Sequence, residues 1–267
     1  MVHVSPGLFL DGSGDVTAAV EALAGSILAD ARSQVRELAP GVPVSEAHRI
    51  GGRAAGIAAE AGPRDVVVVG RSRHRGTRWL PTGGLPAGIA ARREGPVLVV
   101  PEDAPSVDHP WRVVVADRAT GAPAPGLAGL FDWADTHGAS LAVVHGWWVP
   151  DPYVDLAEQR THAVEHEERS VRAIEQTLAP HHAAHPGVPV EIRVRHGRPA
   201  HVLLEEVREA DLLVLPRHRG AGVLPGHVGS TVRELLRECA VPVLLLPAAP
   251  DLDWGELVLE ETGALQR

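Results

Sequence analysis

Asp65-Val66-Val67-Val68-Val69-Gly70 runs into an Arg-rich stretch, and so does Asp211-Leu212-Leu213-Val214-Leu215-Pro216, 146 positions later. The same interval of 146 separates Gly83 from Gly229, and Pro96-Val97-Leu98-Val99-Val100-Pro101 from Pro242-Val243-Leu244-Leu245-Leu246-Pro247. One interval held over three blocks with no insertion between them marks two copies of one unit. Residues 66–69 and 212–215 are apolar without alternation, as a parallel strand covered by helices on both faces must be. The block therefore reads as strand, loop, helix, strand, and the chain as an α/β protein.

Working outward, the second copy is the fuller one. Arg112-Val113-Val114-Val115-Ala116-Asp117 and Leu141-Ala142-Val143-Val144-His145 read as buried strands, with an apolar helical pattern at Leu127, Leu130, Phe131 and Ala134 between them. Ala157, Val164, Val171 and Leu178 recur every seven residues beside Ile174, which predicts one buried face of a long helix. Glu165/Arg169 and Glu168/Arg172 fall at i,i+4 on its wet side. Residues 190–194 alternate like a half-exposed strand, and Val202, Leu203 and Val207 place a helix before 212–215. Strands alternating with helices imply a parallel sheet with right-handed crossovers. The polar, Pro-rich stretch 101–110 reads as a joint, giving units at 1–103 and 111–249, a linker at 104–110 and an acidic tail at 250–267.

The first unit is one strand–helix pair short. Two alignments compete. One matches Val2-His3-Val4 with Val144-His145-Gly146, so that the copy begins at its second strand. The other matches Leu10-Asp11-Gly12-Ser13 with Ala116-Asp117-Arg118-Ala119. The first needs much the smaller gap and is preferred.

Composition narrows the chemistry. The chain has 267 residues and a formal charge of −9, which disfavours general nucleic-acid binding. No apolar run approaches the ~20 residues that span a bilayer. Cys239 is the only cysteine, which points to a reducing, cytoplasmic setting. There is no lysine at all, so a P-loop of the Walker type and amine-based covalent catalysis are excluded.

The loop after 212–215 is the candidate site. Pro216-Arg217-His218-Arg219-Gly220-Ala221-Gly222 leads to Gly229-Ser230-Thr231 at a helix start. A helix N-terminus directs backbone N–H groups and a positive dipole end at an anion. Thr231-Val232-Arg233-Glu234 fits a capping box, with Val232, Leu235, Leu236 and Cys239 as the buried stripe. The arginines at 71, 73 and 75 and at 217 and 219 either grip an anion or are solvated. His162 and His166 lie at i,i+4, a spacing open to metal ligation but more simply read as surface histidines. Trp147 and Trp148 either line a pocket or pack. Asp117 either meets a ligand or caps a helix.

These residues resemble the universal stress protein family, whose signature is Gly-x2-Gly-x9-Gly-Ser/Thr followed closely by a Pro-Val-Leu-Val-Val strand. The resemblance covers nearly the whole chain as a tandem pair. It implies a five-stranded parallel sheet per complete unit, dimerisation through the last strand, and, in some members, ATP held in this loop. Here Pro216 and Arg219 stand where the first two glycines belong, while Gly229 and Ser230 are kept; in the first unit Arg73 and Gly84 replace a glycine and the hydroxyl. The resemblance thus assigns ATP to the second unit, with Asp117, Arg217, Arg219, Gly220, Gly222, Gly229, Ser230 and Thr231 as its contacts and no catalytic or metal residue. The expected function is stress-response regulation by binding. A nucleotide-free interaction protein and a slow ATPase are the alternatives. The expected partners are an adenine nucleotide and the chain's own second half, through residues 97–100 and 243–246, with neither membrane nor nucleic acid.

In the family's strand order the missing strand is central, so the first unit should carry a gap and be the less stable. Three resolutions are open: an upstream start, closure of the remaining strands, or insertion of Leu257-Val258-Leu259, led in by Trp254-Gly255-Glu256.

Overall fold

The structure, a computed structural model, describes residues 1–7, 14–71, 84–93, 95–122, 126–216 and 228–246. The first unit contains β1 (Val2–Ser5), α1 (Gly14–Leu38), β2 (Ala47–Ile50), α2 (Arg53–Glu60), β3 (Val67–Arg71), α3 (Gly84–Ala90) and β4 (Val97–Pro101). The second contains β5 (Arg112–Ala116), α4 (Leu127–His137), β6 (Ser140–Trp147), α5 (Pro152–Ala184), β7 (Val190–His196), α6 (Pro199–Glu206), a 3-10 turn, β8 (Leu212–Pro216), α7 (Ser230–Glu238) and β9 (Val243–Leu246).

Seven strands form one sheet in the order β3-β4-β9-β8-β5-β6-β7, and β1 and β2 form a separate parallel pair. All neighbours in the large sheet are parallel except β4 and β9. These two, the last strands of their units, meet antiparallel with Val97 opposite Leu245, Leu98 opposite Leu244 and Val99 opposite Val243. The pairing expected from the two Pro-bounded apolar blocks is present, inside one chain. Each strand would otherwise present an unpaired edge.

Each face of the sheet is covered separately. On one, Val67, Val69, Val97 and Val99 merge with Leu213, Leu215, Val243 and Leu245 under α3, α6 and α7, so one core runs through both units. On the other, Val113, Val115, Val214, Leu244 and Leu246 pack under Phe131 of α4 and Ile174 and Leu178 of α5. This second cover stops at the unit boundary. Val68 is 63% exposed, whereas Val214, 146 residues on, is fully buried at 0%. No helix corresponding to α4 lies over β3 among the described residues.

β1, α1, β2 and α2 repeat the order β6, α5, β7 and α6. The pair His3–His48 of β1 and β2 stands where His145–Val194 stands in β6 and β7. The strand–helix contact is even preserved with its sizes exchanged. A Cβ on Gly56 of α2 would lie 3.0 Å from Val4 Cγ2, while a Cβ on Gly146 of β6 would lie 3.3 Å from Val202 Cβ of α6. Glycine and valine have swapped sides, keeping the same space filled. The two strands flanking the missing position do not close up: β1 pairs with β2 alone and β3 with β4 alone.

The heptad stripe on α5 departs from expectation. Ile174 and Leu178 are buried, but Val164 is 69% exposed and Ala157 is exposed as well. A 33-residue helix is about 50 Å long. A seven-residue strand such as β7 spans only about 23 Å. The N-terminal half of α5 therefore overhangs the sheet, and its apolar positions have nothing beneath them.

Two arginines anchor the first unit. Arg71 at the end of β3 donates to the Leu236 carbonyl at 3.3 Å and to that of Cys239, satisfying the C-terminal end of α7 across the unit boundary. Arg71 thus serves the protein's own helix end, not an anion. Arg93, 6% exposed, donates to the carbonyls of Ala61 at 2.7 Å, Gly62 at 2.8 Å and Asp65 at 2.6 Å. It ties the end of α3 to the turn between α2 and β3. Gly95 is required beside it, because a Cβ there would strike both the Arg93 guanidinium and the Pro63 carbonyl. Replacing Arg93 by Ala leaves several part-buried carbonyls without their donor. We expect a loss on the order of 3 kcal/mol in urea unfolding, with Arg93→Lys recovering only part because one ammonium cannot reach the same fork of acceptors. A loss below about 0.5 kcal/mol would show the network to be dispensable.

Candidate functional site

The strand order places a crevice before any side chain is considered. From β5 the chain steps to β6 and β7 on one side, then crosses back to β8 and β9 on the other. The reversal lies between β5 and β8, which are adjacent and parallel. Open α/β sheets bind ligands at such a switch point, outside the carboxyl ends of the strands. β5 ends there at Ala116 and β8 at Pro216. Because α7 returns antiparallel between β8 and β9, its N-terminus opens at the same end.

Asp117 follows β5 directly. Its N–H donates to the Val144 carbonyl at 2.9 Å, fixing the residue against β6. Its Oδ1 accepts from the Ala119 N–H at 2.6 Å, closing a turn in which Ala119 takes φ of +50°. The carboxylate therefore braces its own turn, not the first turn of α4, which is entered through Gly126 in the left-handed conformation. His145 adds a contact that no motif in the chain signals. Its Nδ1 lies 3.0 Å from the Asp117 carbonyl oxygen, linking the ends of β5 and β6.

α7 starts at Ser230, with Gly229 as N-cap and no side-chain cap. This corrects the capping-box reading. Thr231 and Glu234 lie inside the helix, two positions too late for their side chains to close its first N–H groups. Gly229 has φ of −57°, ordinary for any residue. Ser230 is exposed and Thr231 half-buried. Below them Leu235, Leu236 and Cys239 are buried, holding the helix to the sheet. Burial pushes the Cys239 thiol up. Arg217, Arg219, Gly220 and Gly222 lie outside the described residues, as do Arg73, Arg75 and Gly83. In the first unit the matching helix α3 opens on Gly84 with φ of +71° and offers no hydroxyl.

A second cluster sits at the ends of β6 and β7. Trp147 is stacked on His166 of α5 at 4.5 Å and meets His196 edge-on at 4.5 Å. His196 Nε2 lies 2.9 Å from Asp155 Oδ1, which also accepts from the Val149 N–H. Glu158 holds both His162 and His166 at 3.2 Å. The two i,i+4 histidines thus share one carboxylate, and His166 stacks on Trp147; among the described residues no group of three or more metal-ligating side chains assembles. Trp147 is packed; Trp148 is partly exposed, with Arg198 5.3 Å above its ring.

The universal stress protein family profile matches residues 112–247, just over half of the chain. The chain belongs to that family. Universal stress protein Rv1996 of Mycobacterium tuberculosis is 28% identical over 188 residues, covering 63% of this chain and 56% of the relative. A universal stress protein of Mycolicibacterium smegmatis is 28% identical over 183 residues, covering 68% and 61%. The chain thus matches well under two thirds of these relatives' length. Among solved structures, a universal stress protein from Archaeoglobus fulgidus superposes with a TM-score of 0.62 at 17% identity, covering 92% of this chain and 86% of its own. A Pseudomonas aeruginosa counterpart gives 0.53 at 16%. These establish the fold.

The hydrogen bond from His196, and then that from the Val149 N–H, hold the Asp155 carboxyl below its usual range. A group with a depressed folded pKa contributes stability above its unfolded value of about 3.9, lost as pH falls through the folded value. Asp155→Asn should remove that part, so that its denaturation midpoint falls less than the parent's on acidification below about pH 4. Identical acid sensitivity would show that the bond carries no linkage.

Proposed function

We propose that the second unit binds an adenine nucleotide, ATP, in the crevice between β5 and β8, and that the protein acts as a nucleotide-responsive regulator in a stress response, by binding rather than by catalysis. The observation that carries this reading is the convergence of Asp117 and the uncapped N-terminus of α7 at the topological switch point. Asp117 stands where a ribose or base edge would lie. The first N–H groups of α7 and the hydroxyls of Ser230 and Thr231 face the phosphates. Arg217 and Arg219 supply positive charge, compensating for the glycines that Pro216 and Arg219 replace. Gly220 and Gly222 allow the loop to approach. The first unit is assigned no nucleotide, because its corresponding helix is shorter and lacks the hydroxyl. We place the protein in the cytoplasm, where a lone, fully buried Cys239 needs no oxidant.

Titration calorimetry with ATP should give one site per chain. Ser230→Ala removes a hydrogen bond to a charged group, worth about 1.5–3 kcal/mol, and should weaken binding about tenfold or more. Unchanged affinity in that variant would dispose of this site. Mass spectrometry of small molecules released on denaturing the freshly purified protein should show an adenine nucleotide. A protein that is empty and silent in calorimetry would instead be one that acts through its surfaces alone.

A further inference from the structure

A hollow of about 350 Å³ opens at the amino ends of β5, β6 and β7, at the opposite end of the sheet from the switch-point crevice. Small side chains make it. Alternate residues of β6 face α6, and there Ser140 and Ala142 precede the larger Val144. Arg112 of β5 lies opposite Ser140, while Val114 and Glu191 flank Ala142. Glu206 at the end of α6 and Glu209 in the 3-10 turn Val207–Glu209 close one side. The volume is at the low end of the range for small-molecule sites, about 300–1,000 Å³, and suits a compact ligand.

The charges that line the hollow fall into two groups. Arg193 is committed. It donates to Glu206 Oε2 at 2.6 Å and to Glu191 at 2.7 Å, and Arg195 donates to the other Glu206 oxygen at 3.3 Å. Arg112 and Glu209 are not. Among the described residues neither the Arg112 guanidinium nor the Glu209 carboxylate has an ion-pair or hydrogen-bond partner, and they do not reach each other. The backbone beneath them is nevertheless fixed. The Arg112 N–H donates to Asp211 Oδ2 at 2.7 Å, and the Asp211 N–H, two residues beyond Glu209, donates to the Arg112 carbonyl at 2.8 Å. A cation and an anion that share one small hollow without touching fit a ligand that carries both charges.

We propose that this hollow binds a free α-amino acid with an aliphatic side chain, its carboxylate on Arg112, its ammonium on Glu209 and its side chain over Ala142. The guanidinium fork of Arg112 matches a carboxylate in a bidentate pair. The Ser140 hydroxyl, beside Arg112, donates to the same carboxylate. Val114 and Ala142 select an aliphatic side chain, because a charged one would lose water there without gaining a partner. This site is separate from the nucleotide crevice and does not rest on it.

Saturation-transfer NMR titration of the full-length protein with L-leucine tests this. The expected dissociation constant is on the order of 1 mM or tighter. Isocaproate, which lacks the ammonium, and isoamylamine, which lacks the carboxylate, should each bind at least about tenfold more weakly. Arg112→Gln and Glu209→Gln should each weaken leucine binding about tenfold or more, with thermal midpoints close to the parent's because both side chains are exposed. Arg112→Lys should keep part of the affinity, since it holds the charge but not the fork. Absence of leucine binding at millimolar concentration overturns the proposal. So does leucine binding that survives either neutral substitution, or isocaproate binding as tightly as leucine.

Discussion

The antiparallel contact between β4 and β9 is the constraint on which the rest depends. Without it the chain would be two sheets, each ending in a bare apolar edge. With it, Val97 and Val99 share one core with Val243 and Leu245, and helices from both units close over the seam. The contact also fixes direction. It forces the strands of the first unit to run opposite to those of the second, so the carboxyl ends of the two units' strands face opposite ways. Arg71 then reaches the end of α7, and a charge in one unit completes a helix in the other.

The two units are not equal halves. The face carrying Val67, Val69, Leu213 and Leu215 is continuous, because both units contribute helices to it. The opposite face is covered only in the second unit, and the contrast between Val68 and Val214 measures the difference at one repeat position. Parallel strands are stable when both faces are dry. The first unit meets that condition on one face only. It leans for stability on the seam and on the Arg93 network.

The same asymmetry bears on the site. A switch-point crevice needs a strand whose neighbours connect in opposite directions, and β5 is that strand. The first unit has no counterpart of β5 among the described residues, so it has the helix start but not the crevice. Among the described residues none answers to Asp117 in that unit either.

The periodic features were legible in advance. Runs such as 212–215 encode strands dry on both faces, the 146-residue interval encodes the repeat, and the paired Pro-bounded strands imply the seam, all from short-range pattern. What the pattern did not carry depends on partners distant in the chain. Val68 and Val214 sit in near-identical local sequence and differ only in what lies above them. Ala157 and Val164 continue the heptad of Ile174 and Leu178 but project past the sheet. The capping signal at Thr231 is not used, because the helix begins at Ser230 with Gly229 as its N-cap. His145 met the Asp117 carbonyl only because β5 and β6 are in register. Local sequence specifies which faces are apolar, and only the assembled sheet decides which of those faces finds a partner.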